Sequence, residues 1–433
     1  MQLLYSYFVV KVFPDSITKI QLNSLANALT QTKEDAIWRR QAIQKLWAER
    51  ASMGHTPLTK IELKGFPDVD IFLKNETNTK TRNLKHRFSW ALIMWAIIEG
   101  KIGRTTTVYE STSGNTGSSE AYMCTLVGVP YIAVVANELE EEKIKQIESF
   151  GGHIRKVNVS LRNFYAQTEA EKNNGFFINQ FGNADRAEEF HESGGYNRES
   201  TNVFHEIIDQ LAKNKDQVKK TPDIFVHSAG TGGTISSVGR YVLRYALPTQ
   251  IVLADSEFSL FYDYVIHNMF TTQPGNHLWV KPGIAGIGYG YDVKPVLFGN
   301  TTSLVRNVID EAVKMPDVAT TAAIHVLRKR GFDVGPSTGL NFLVSLYKAH
   351  ELKDKYSDKN RLTIATIWCD PGAFYRSTYY NETWIESAFQ RNGGMKGVEC
   401  WEKIIEKCID TGSNFLEEGL SQCTGHEKFA AKA

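Results

Sequence analysis

Short apolar runs alternate with helical periods along most of the chain. The runs predicted to be strands are residues 71–74, 106–110, 131–135, 153–157, 176–178, 224–227, 251–254 and 362–368. The segments predicted to be helices include 87–99, 118–126, 141–150 and 234–245. Strands that alternate with helices predict an α/β fold with parallel sheets flanked by helices on both faces.

Neither of the two most apolar segments is typical of a membrane or export signal. The run 88–98 has about 11 residues, too few for a bilayer core of ~30 Å, and predicts a buried helix. The N-terminal apolar run lacks a basic region before it and a small-residue cleavage site after it. We therefore expect no membrane partner and a cytoplasmic location. A mitochondrial location is not excluded, although the N-terminus lacks the Arg- and Ser-rich character of a transit peptide.

Charge and cysteine usage narrow the functional classes. The 433 residues include 49 Lys plus Arg and 48 Asp plus Glu, a net charge of +1. A nucleic-acid binder would carry a basic excess, so we expect no nucleic-acid partner. No C-x-x-C or H-x-x-x-H spacing occurs, and we expect no metal site. The five cysteines, which we expect to be free thiols in a reducing compartment, are Cys124, Cys369, Cys400, Cys408 and Cys423.

Two loops stand where a predicted strand ends and a helix begins, the place where open parallel sheets bind ligands. The first contains Thr112, Ser113, Gly114, Asn115 and Thr116. Hydroxyls, an amide and a glycine at a helix N-terminus suit a carboxylate or a phosphate. The same residue types also form ordinary helix caps.

The second loop is richer in glycine. Its residues are Gly230, Thr231, Gly232, Gly233 and Thr234. Glycines allow the backbone N–H groups to close around a phosphate, while the threonines add hydroxyl donors. The loop is neither a Walker A motif nor G-x-G-x-x-G, so nucleotide binding is poorly supported. A plain turn is the alternative.

Lys85 precedes the apolar helix. A lysine that is partly removed from water loses its proton more easily and can condense with a carbonyl group. By itself, one lysine among many is most simply a surface residue.

Taken together, the motifs resemble the cysteine synthase and cystathionine β-synthase family. They are Gly54-His55-Thr56-Pro57-Leu58, Lys85 before an apolar helix, Ser113-Gly114-Asn115-Thr116-Gly117, the 230–234 loop, Gly286-Ile287-Gly288-Tyr289-Gly290 and Gly335-Pro336-Ser337-Thr338-Gly339. Their order and rough spacing match the family over residues 45–390, most of the chain. The resemblance implies a two-lobed, tryptophan synthase β-like enzyme of fold type II that uses pyridoxal 5'-phosphate.

The resemblance also implies a domain organisation. Residues 1–40 would be an N-terminal extension, and residues 41–390 would form the catalytic fold. A smaller mobile lobe of about 88–190 would be inserted in the larger lobe, and 391–433 would be a C-terminal appendage. A homodimer is expected, as is usual for the family.

Residue roles follow from the matched motifs. Lys85 would hold the cofactor as a Schiff base and act as general base, and Asn115 would bond the ring hydroxyl. Ser337 would face the pyridine nitrogen. The 230–234 loop would bind the phosphate. The substrate carboxylate would be held by the first loop, through Thr112, Ser113, Gly114 and Thr116.

The implied activity is β-replacement or β-elimination on serine- or cysteine-like amino acids. The S-G-N-T-G and G-T-G-G-T motifs favour this branch over threonine dehydratases and serine racemases. Two alternatives remain. The protein could be a ligand-binding or sensing member with little turnover, or, from the G-x-S-x-G pattern at 335–339, a hydrolase.

Several positions depart from the family pattern. Asn83 stands where a serine is common, and His86 replaces the acid that usually follows the lysine. A cation beside Lys85 would either lower the pKa of the lysine or disturb the loop. His227 and Ser228 precede the phosphate loop, where smaller residues are usual.

Overall fold

The computed structural model describes residues 19–192, 202–268, 283–288 and 303–425. The helices used below are α1 (Lys19–Met53), α2 (Lys85–Ile98), α3 (Asn115–Val127), α4 (Glu141–Ser149), α5 (Arg162–Lys172), α6 (Gln180–Glu192), α7 (Val203–Lys213), α8 (Gly233–Arg244), α9 (Phe261–His267), α10 (Asp317–Lys329), α11 (Pro336–Leu352), α12 (Glu382–Ala388), α13 (Gly394–Thr411) and α14 (Phe415–Gln422). The strands are β1 (Leu58–Ile61), β2 (Val69–Asn75), β3 (Val108–Ser111), β4 (Tyr131–Ala136), β5 (His153–Val157), β6 (Phe176–Phe177), β7 (Ile224–Ser228), β8 (Gln250–Ser256), β9 (Glu311–Met315) and β10 (Leu362–Trp368).

The strands form two sheets. The six-stranded sheet has the order β1-β2-β10-β7-β8-β9, and the four-stranded sheet has the order β5-β4-β3-β6. All described neighbours are parallel except β1, which pairs antiparallel with β2 at the edge. Helices cover both faces of the larger sheet, so β2 and β10 are buried along nearly their whole length rather than at alternate residues. The predicted α/β class with parallel sheets is confirmed.

Each sheet has its own apolar core. One cluster lies between the larger sheet and the helices α10, α11 and α13 on one face. Another lies between the opposite face and the helices α7 and α8. A further cluster joins α1, α2 and α3 to the smaller sheet and contains Trp90, Met94 and Tyr131. The sheets and cores are compatible with two lobes. The lobe boundaries given above stay a prediction.

The C-terminal segment differs from the expected appendage. Trp401, Ile405 and Phe415 are fully buried in the core beside α10. The amphipathic α13 packs its apolar face on α10. The described part of the segment, up to Gly425, therefore packs into the core of the six-stranded sheet; residues 426–433 lie outside the described residues.

The cysteines also depart from expectation. Cys400 and Cys423 form a disulfide that joins α13 to the end of α14. The prediction of five free thiols is therefore wrong for this pair, because the antiparallel packing of two helices brings distant cysteines together. Cys124, Cys369 and Cys408 are free and buried.

The N-terminal helix extends well past residue 40. Its second half packs on the smaller lobe through Trp38, Ala42 and Leu46. The Trp90 indole N–H donates to the Leu46 carbonyl at 2.6 Å, which ties α1 to α2. Residues 1–18 lie outside the described residues. Among the described helices, none combines the length and the apolar character needed to cross a membrane.

Candidate active site

A cleft opens where the carboxyl ends of β3, β7 and β10 approach one another. The residues that line it are Leu84, Lys85, Ser113, Asn115, Thr116, Arg162, Gln180, Phe181, His227, Ser228, Gly230, Thr231, Gly232, Gly233, Thr234, Ala285, Gly286, Ile287, Gly288, Ser337, Cys369 and Tyr375. Both sheets contribute, so the cleft lies between them. The two predicted loops, the lysine and Ser337 are thus brought together from residues up to 252 positions apart in sequence, Lys85 and Ser337 being the extremes.

Lys85 is the first residue of α2 and projects into this cleft. Its Nζ lies 4.9 Å from the centre of the Phe88 ring. Desolvation lowers the pKa of the ammonium to about 8, although Cys369, Glu120 and Glu110 act in the opposite direction. A lysine with such a pKa has a substantial neutral fraction near neutral pH, which a nucleophile or a general base requires.

The loop before Lys85 explains the departures at Asn83 and His86. The Asn83 Oδ1 accepts a hydrogen bond from the Lys85 N–H at 2.9 Å and another from Ser119 Oγ at 3.1 Å. Its Nδ2 donates to the Thr81 carbonyl at 2.8 Å. Asparagine therefore caps the first turn of α2 as a serine could, and it makes more bonds than a serine could. His86 is directed toward Glu49 of α1, at 3.1 Å, rather than toward the amine of Lys85.

The 230–234 loop joins β7 to α8 and has no room for a side chain at Gly230 or Gly232. Gly232 has φ +84°, and a Cβ there would lie 2.4 Å from the Cα of Leu304. A Cβ on Gly230 would lie 2.2 Å from the Gly286 carbonyl oxygen. The backbone is therefore held close to the 284–288 segment, with the N-terminus of α8 directed at the cleft. Such an N-terminus is suited to bind a phosphate.

The 112–116 loop, which precedes and begins α3, divides its residues between two tasks. Ser113, Asn115 and Thr116 line the cleft. The Thr112 Oγ1 instead accepts from the N–H groups of Gly114 and Gly117, both at 3.0 Å, and so fixes the loop. Within the described residues, Thr112 and Gly114 are not among the cleft-lining residues.

Gly114 has a steric reason to be glycine. Its φ is +125°, and a Cβ there would lie 2.5 Å from the Cδ of Lys143 on α4. That this loop binds the substrate carboxylate stays a prediction. In that prediction, Thr112 and Gly114 act by shaping the loop.

Two polar groups face the cleft without a partner among the described residues. Asn115 donates from Nδ2 to Asp370 Oδ2 at 2.7 Å, but its Oδ1 is buried and unpaired. The hydroxyl of Ser228, at the end of β7, is also buried and unpaired. Buried polar atoms nearly always have a partner, so such atoms in a cleft indicate that a polar ligand completes them.

Gln180 and Arg162 were not predicted as site residues. Gln180 Oε1 accepts from Thr116 Oγ1 at 2.7 Å, and its Nε2 donates to the Ser111 carbonyl at 2.7 Å. Arg162 donates from Nη1 to the Thr112 carbonyl at 2.9 Å. Gln180 begins α6 in the short connection that follows β6, and this position could have indicated a site residue, since ligand residues often follow strand ends. Arg162 begins a helix that follows β5 and gave no comparable signal.

His227 and Cys369 bring two further titratable side chains into the cleft. Burial, with a smaller contribution from Lys85, lowers the pKa of His227 to about 3. Burial raises the pKa of the Cys369 thiol to about 12. Both groups are therefore neutral near neutral pH. Lys85 and Arg162 are the cationic side chains that line the cleft within the described chain, and no carboxylate lines it there.

Ser337 lies at the start of α11, and its surroundings do not support a hydrolase. A nucleophile elbow needs a strand directly before the serine. Here the preceding element is the helix α10, followed by a turn. Within the described part of the chain, no group of three or more His, Cys, Asp or Glu side chains is placed to hold a metal ion.

The comparisons with known proteins agree with this geometry. Residues 50–369 match the pyridoxal-phosphate dependent enzyme family, and the chain belongs to that family. A Caenorhabditis elegans protein named for pyridoxal-phosphate dependence is 62% identical over 95% of both chains. The L-cysteine desulfhydrase of Mycobacterium tuberculosis is 33% identical, over 81% of this chain and 90% of the relative.

Solved structures support the same fold. A hydrogen sulfide-producing enzyme of Fusobacterium nucleatum superimposes with a TM-score of 0.61 at 25% identity, over 78% of this chain and 93% of that chain. An O-ureido-L-serine synthase, at 22% identity and a TM-score of 0.60 over 76% and 93%, shows the fold. The protein is thus a fold type II enzyme that depends on pyridoxal phosphate and is related to cysteine synthases and desulfhydrases.

The residues of the cleft fit this cofactor. The cleft holds a lysine of lowered pKa, a glycine loop at a helix N-terminus, and the unpaired Oδ1 of Asn115 and Oγ of Ser228. These supply an amine for the aldehyde, N–H donors for the phosphate, and polar partners for the remaining oxygens.

Proposed function

We propose that this protein catalyses β-elimination or β-replacement on serine- or cysteine-like amino acids, with cysteine as the first substrate to test. The observation that carries the proposal is the position of Lys85, a lysine of pKa about 8 between a phosphate-type loop and a carboxylate-type loop. The similarity to a desulfhydrase and to cysteine synthases supports the same chemistry.

Each wall of the cleft has a task in this proposal. When bound, pyridoxal phosphate supplies an electron sink that weakens the Cα–H bond of an amino acid. Lys85 binds the cofactor and, in its neutral form, takes the Cα proton. The 230–234 loop binds the phosphate, and Ser337 faces the ring nitrogen.

The substrate carboxylate is bound by Ser113 and Thr116, with Thr112 and Gly114 shaping the loop. The single proton of the Thr116 hydroxyl is donated to Gln180 Oε1 at 2.7 Å, so Thr116 contributes its backbone N–H at the start of α3 rather than its hydroxyl. The guanidinium of Arg162 adds positive charge at the same wall. A carboxylate bound by several such donors places the Cα–H bond toward Lys85.

The first experiment incubates the purified full-length protein with cysteine and measures sulfide, pyruvate and ammonia. Elimination balances as cysteine plus water giving pyruvate, ammonia and sulfide. We expect all three products in equal amounts, and a visible absorbance band that is lost in Lys85→Ala. Lys101→Ala is the matched control, because Lys101 is exposed and lies just beyond the other end of α2. We expect this variant to keep both the products and the absorbance band.

Replacement is tested by adding a second thiol and looking for its thioether with the three-carbon skeleton. If sulfide release is equal with and without the thiol and no thioether forms, the protein catalyses elimination only. If neither cysteine nor serine shifts the absorbance band of the bound cofactor or gives a product, the result would contradict the proposal and favour a sensing protein. The homodimer and the compartment remain predictions.

A further inference from the structure

Glu49 of α1 reaches the residue that follows the cofactor lysine. Its Oε1 lies 3.1 Å from His86 Nε2, and its Oε2 accepts from the Tyr122 hydroxyl at 2.7 Å. The side chain of His86 is 2% exposed and that of Glu49 is 11% exposed. The carboxylate thus joins α1 to α2 and to α3. Glu49 lies just before the range that matches the family.

A continuous chain of hydrogen bonds leads from this pair to Lys85. His86 Nδ1 lies 3.2 Å from Thr81 Oγ1, and Thr81 Oγ1 lies 2.8 Å from Ser119 Oγ. Ser119 Oγ donates to Asn83 Oδ1 at 3.1 Å. That same oxygen accepts the Lys85 backbone N–H.

Counting protons along the chain fixes the direction of each bond. Asn83 Oδ1 can only accept, so the single proton of the Ser119 hydroxyl is used there. Thr81 must therefore donate its own single proton to Ser119. With that proton used, Thr81 Oγ1 can only accept from His86, and His86 Nδ1 must carry a hydrogen.

The other ring nitrogen must carry a hydrogen as well. The bonds of Glu49 to His86 and, further, to Tyr122 hold the pKa of its carboxyl below its usual range despite partial burial. An ionised carboxylate only accepts, so His86 Nε2 donates to it. Both nitrogens are then donors, which describes a charged imidazolium.

We propose that Glu49 and His86 form an ion pair whose imidazolium anchors the hydrogen-bond chain through Thr81, Ser119 and Asn83, and so positions Lys85. Glu49 and His86 are positioning residues, since neither lines the cleft among the described residues. The proposal rests on the proposed role of Lys85 as the cofactor lysine. The N-terminal helix is then part of the active-site framework rather than an extension of it.

The charged groups around the pair are limited in number. Among the described residues, Tyr122 on α3 donates to Glu49, and Lys80 acts on Glu49 through its charge. His86 stands 5.6 Å from Tyr122, ring centre to ring centre. The chain of bonds from the pair ends at the backbone N–H of Lys85, so the pair acts on the position of Lys85.

The charge of His86 is measured directly by NMR on protein labelled with ¹⁵N in the histidine rings, at neutral pH. His86→Gln identifies the signal by its absence. We expect both ring nitrogens of His86 to have the shifts of an imidazolium, and those of a neutral ring in Glu49→Gln. A neutral His86 ring in the unsubstituted protein would overturn the proposal. Lys85→Ala keeps the imidazolium signal even if the proposed function is wrong.

Positioning is measured by the rate at which apoprotein takes up pyridoxal phosphate, and by kcat and KM for cysteine. We expect Glu49→Gln and His86→Gln to lower the uptake rate and kcat about tenfold, with KM nearly unchanged. Glu34→Gln, the same substitution on the exposed part of α1 where Glu34 pairs with Arg104, is the control and changes neither.

The double variant separates positioning from stability. Each single variant removes the ion pair: Glu49→Gln leaves His86 neutral, and His86→Gln leaves the Glu49 carboxylate without its cation, so the melting temperature of each falls. Removing both charges in Glu49→Gln/His86→Gln should recover much of the melting temperature while the uptake rate stays low. Recovery of the uptake rate together with the melting temperature would show a purely structural pair and would overturn the positioning role.

Discussion

The side chain of Asn83 holds the backbone of Lys85, because its Oδ1 accepts the Lys85 N–H at 2.9 Å. The same asparagine is fully buried and bonds Thr81 and Ser119. The Leu84 N–H next to it donates to the Cys369 carbonyl at 2.8 Å, at the end of β10. One short loop thus ties the lysine to α3 and to the end of β10, and the Asn83 amide both donates and accepts in it.

Replacing Asn83 with alanine should weaken both folding and activity. The loss of a first-turn cap costs about 1 kcal/mol in the free energy of unfolding. Asn83→Ser keeps a hydroxyl acceptor and should lose less stability and less activity. Chemical denaturation of the apoprotein measures the stability, and sulfide release by the holoprotein measures the activity. Equal losses for Ala and Ser would show that the cap is not what Asn83 contributes.

Gly232→Ala should abolish cofactor binding. The new Cβ would lie 2.4 Å from the backbone of Leu304, so the phosphate loop must move. Gly128→Ala is the control, because Gly128 has a similar φ of +82° but nothing within 4 Å of the added Cβ. That control should lose only about 1 kcal/mol of stability from backbone strain and bind the cofactor normally. The dissociation constant for pyridoxal phosphate distinguishes the two, and equal binding by both variants would argue against the close packing.

The rate of cofactor uptake by the apoprotein should depend on pH through Lys85. Only the neutral amine attacks an aldehyde, and burial lowers the pKa of Lys85 to about 8. The rate should therefore rise as the pH increases toward about 8 and level off above it. Stopped-flow absorbance measures this rate. A rise that continues to about pH 10, where an ordinary lysine titrates, would show that the amine is not desolvated.

Reduction of the Cys400–Cys423 disulfide should lower the melting temperature. The bond closes a loop with a sequence separation of 23 residues, and cross-links of this length contribute about 3 kcal/mol. Cys423→Ser should melt at the same temperature with and without reductant, and like the reduced protein.

Mass spectrometry under non-reducing conditions counts the thiols directly. Disulfides are rare in cytosolic proteins, so the same count bears on the expected cytoplasmic location. Five free thiols in the protein isolated from its native cells would contradict the disulfide there.

Sequence patterns were sufficient for elements whose burial is continuous. The predicted strand 362–368 is β10 itself, and the predicted strand 224–227 lies within β7; both are buried almost throughout. β1 and β9, edge strands of four and five residues, were not predicted, whereas the edge strand β5 was. α13 carries a charged face and an apolar face, and the packing of the apolar face on α10 is set by the tertiary structure.

The sequence by itself determined the class of fold, the cofactor family and the motifs that meet in the cleft. These depend on local patterns, such as glycines at a strand end or a lysine before an apolar helix, which the chain carries in order. The tertiary structure alone decided which groups face one another across the chain. The pairing of Glu49 with His86, of Thr116 with Gln180, and of Cys400 with Cys423 depends on how helices and sheets pack. Contacts between residues distant in sequence are set by that packing, and local sequence patterns do not predict them.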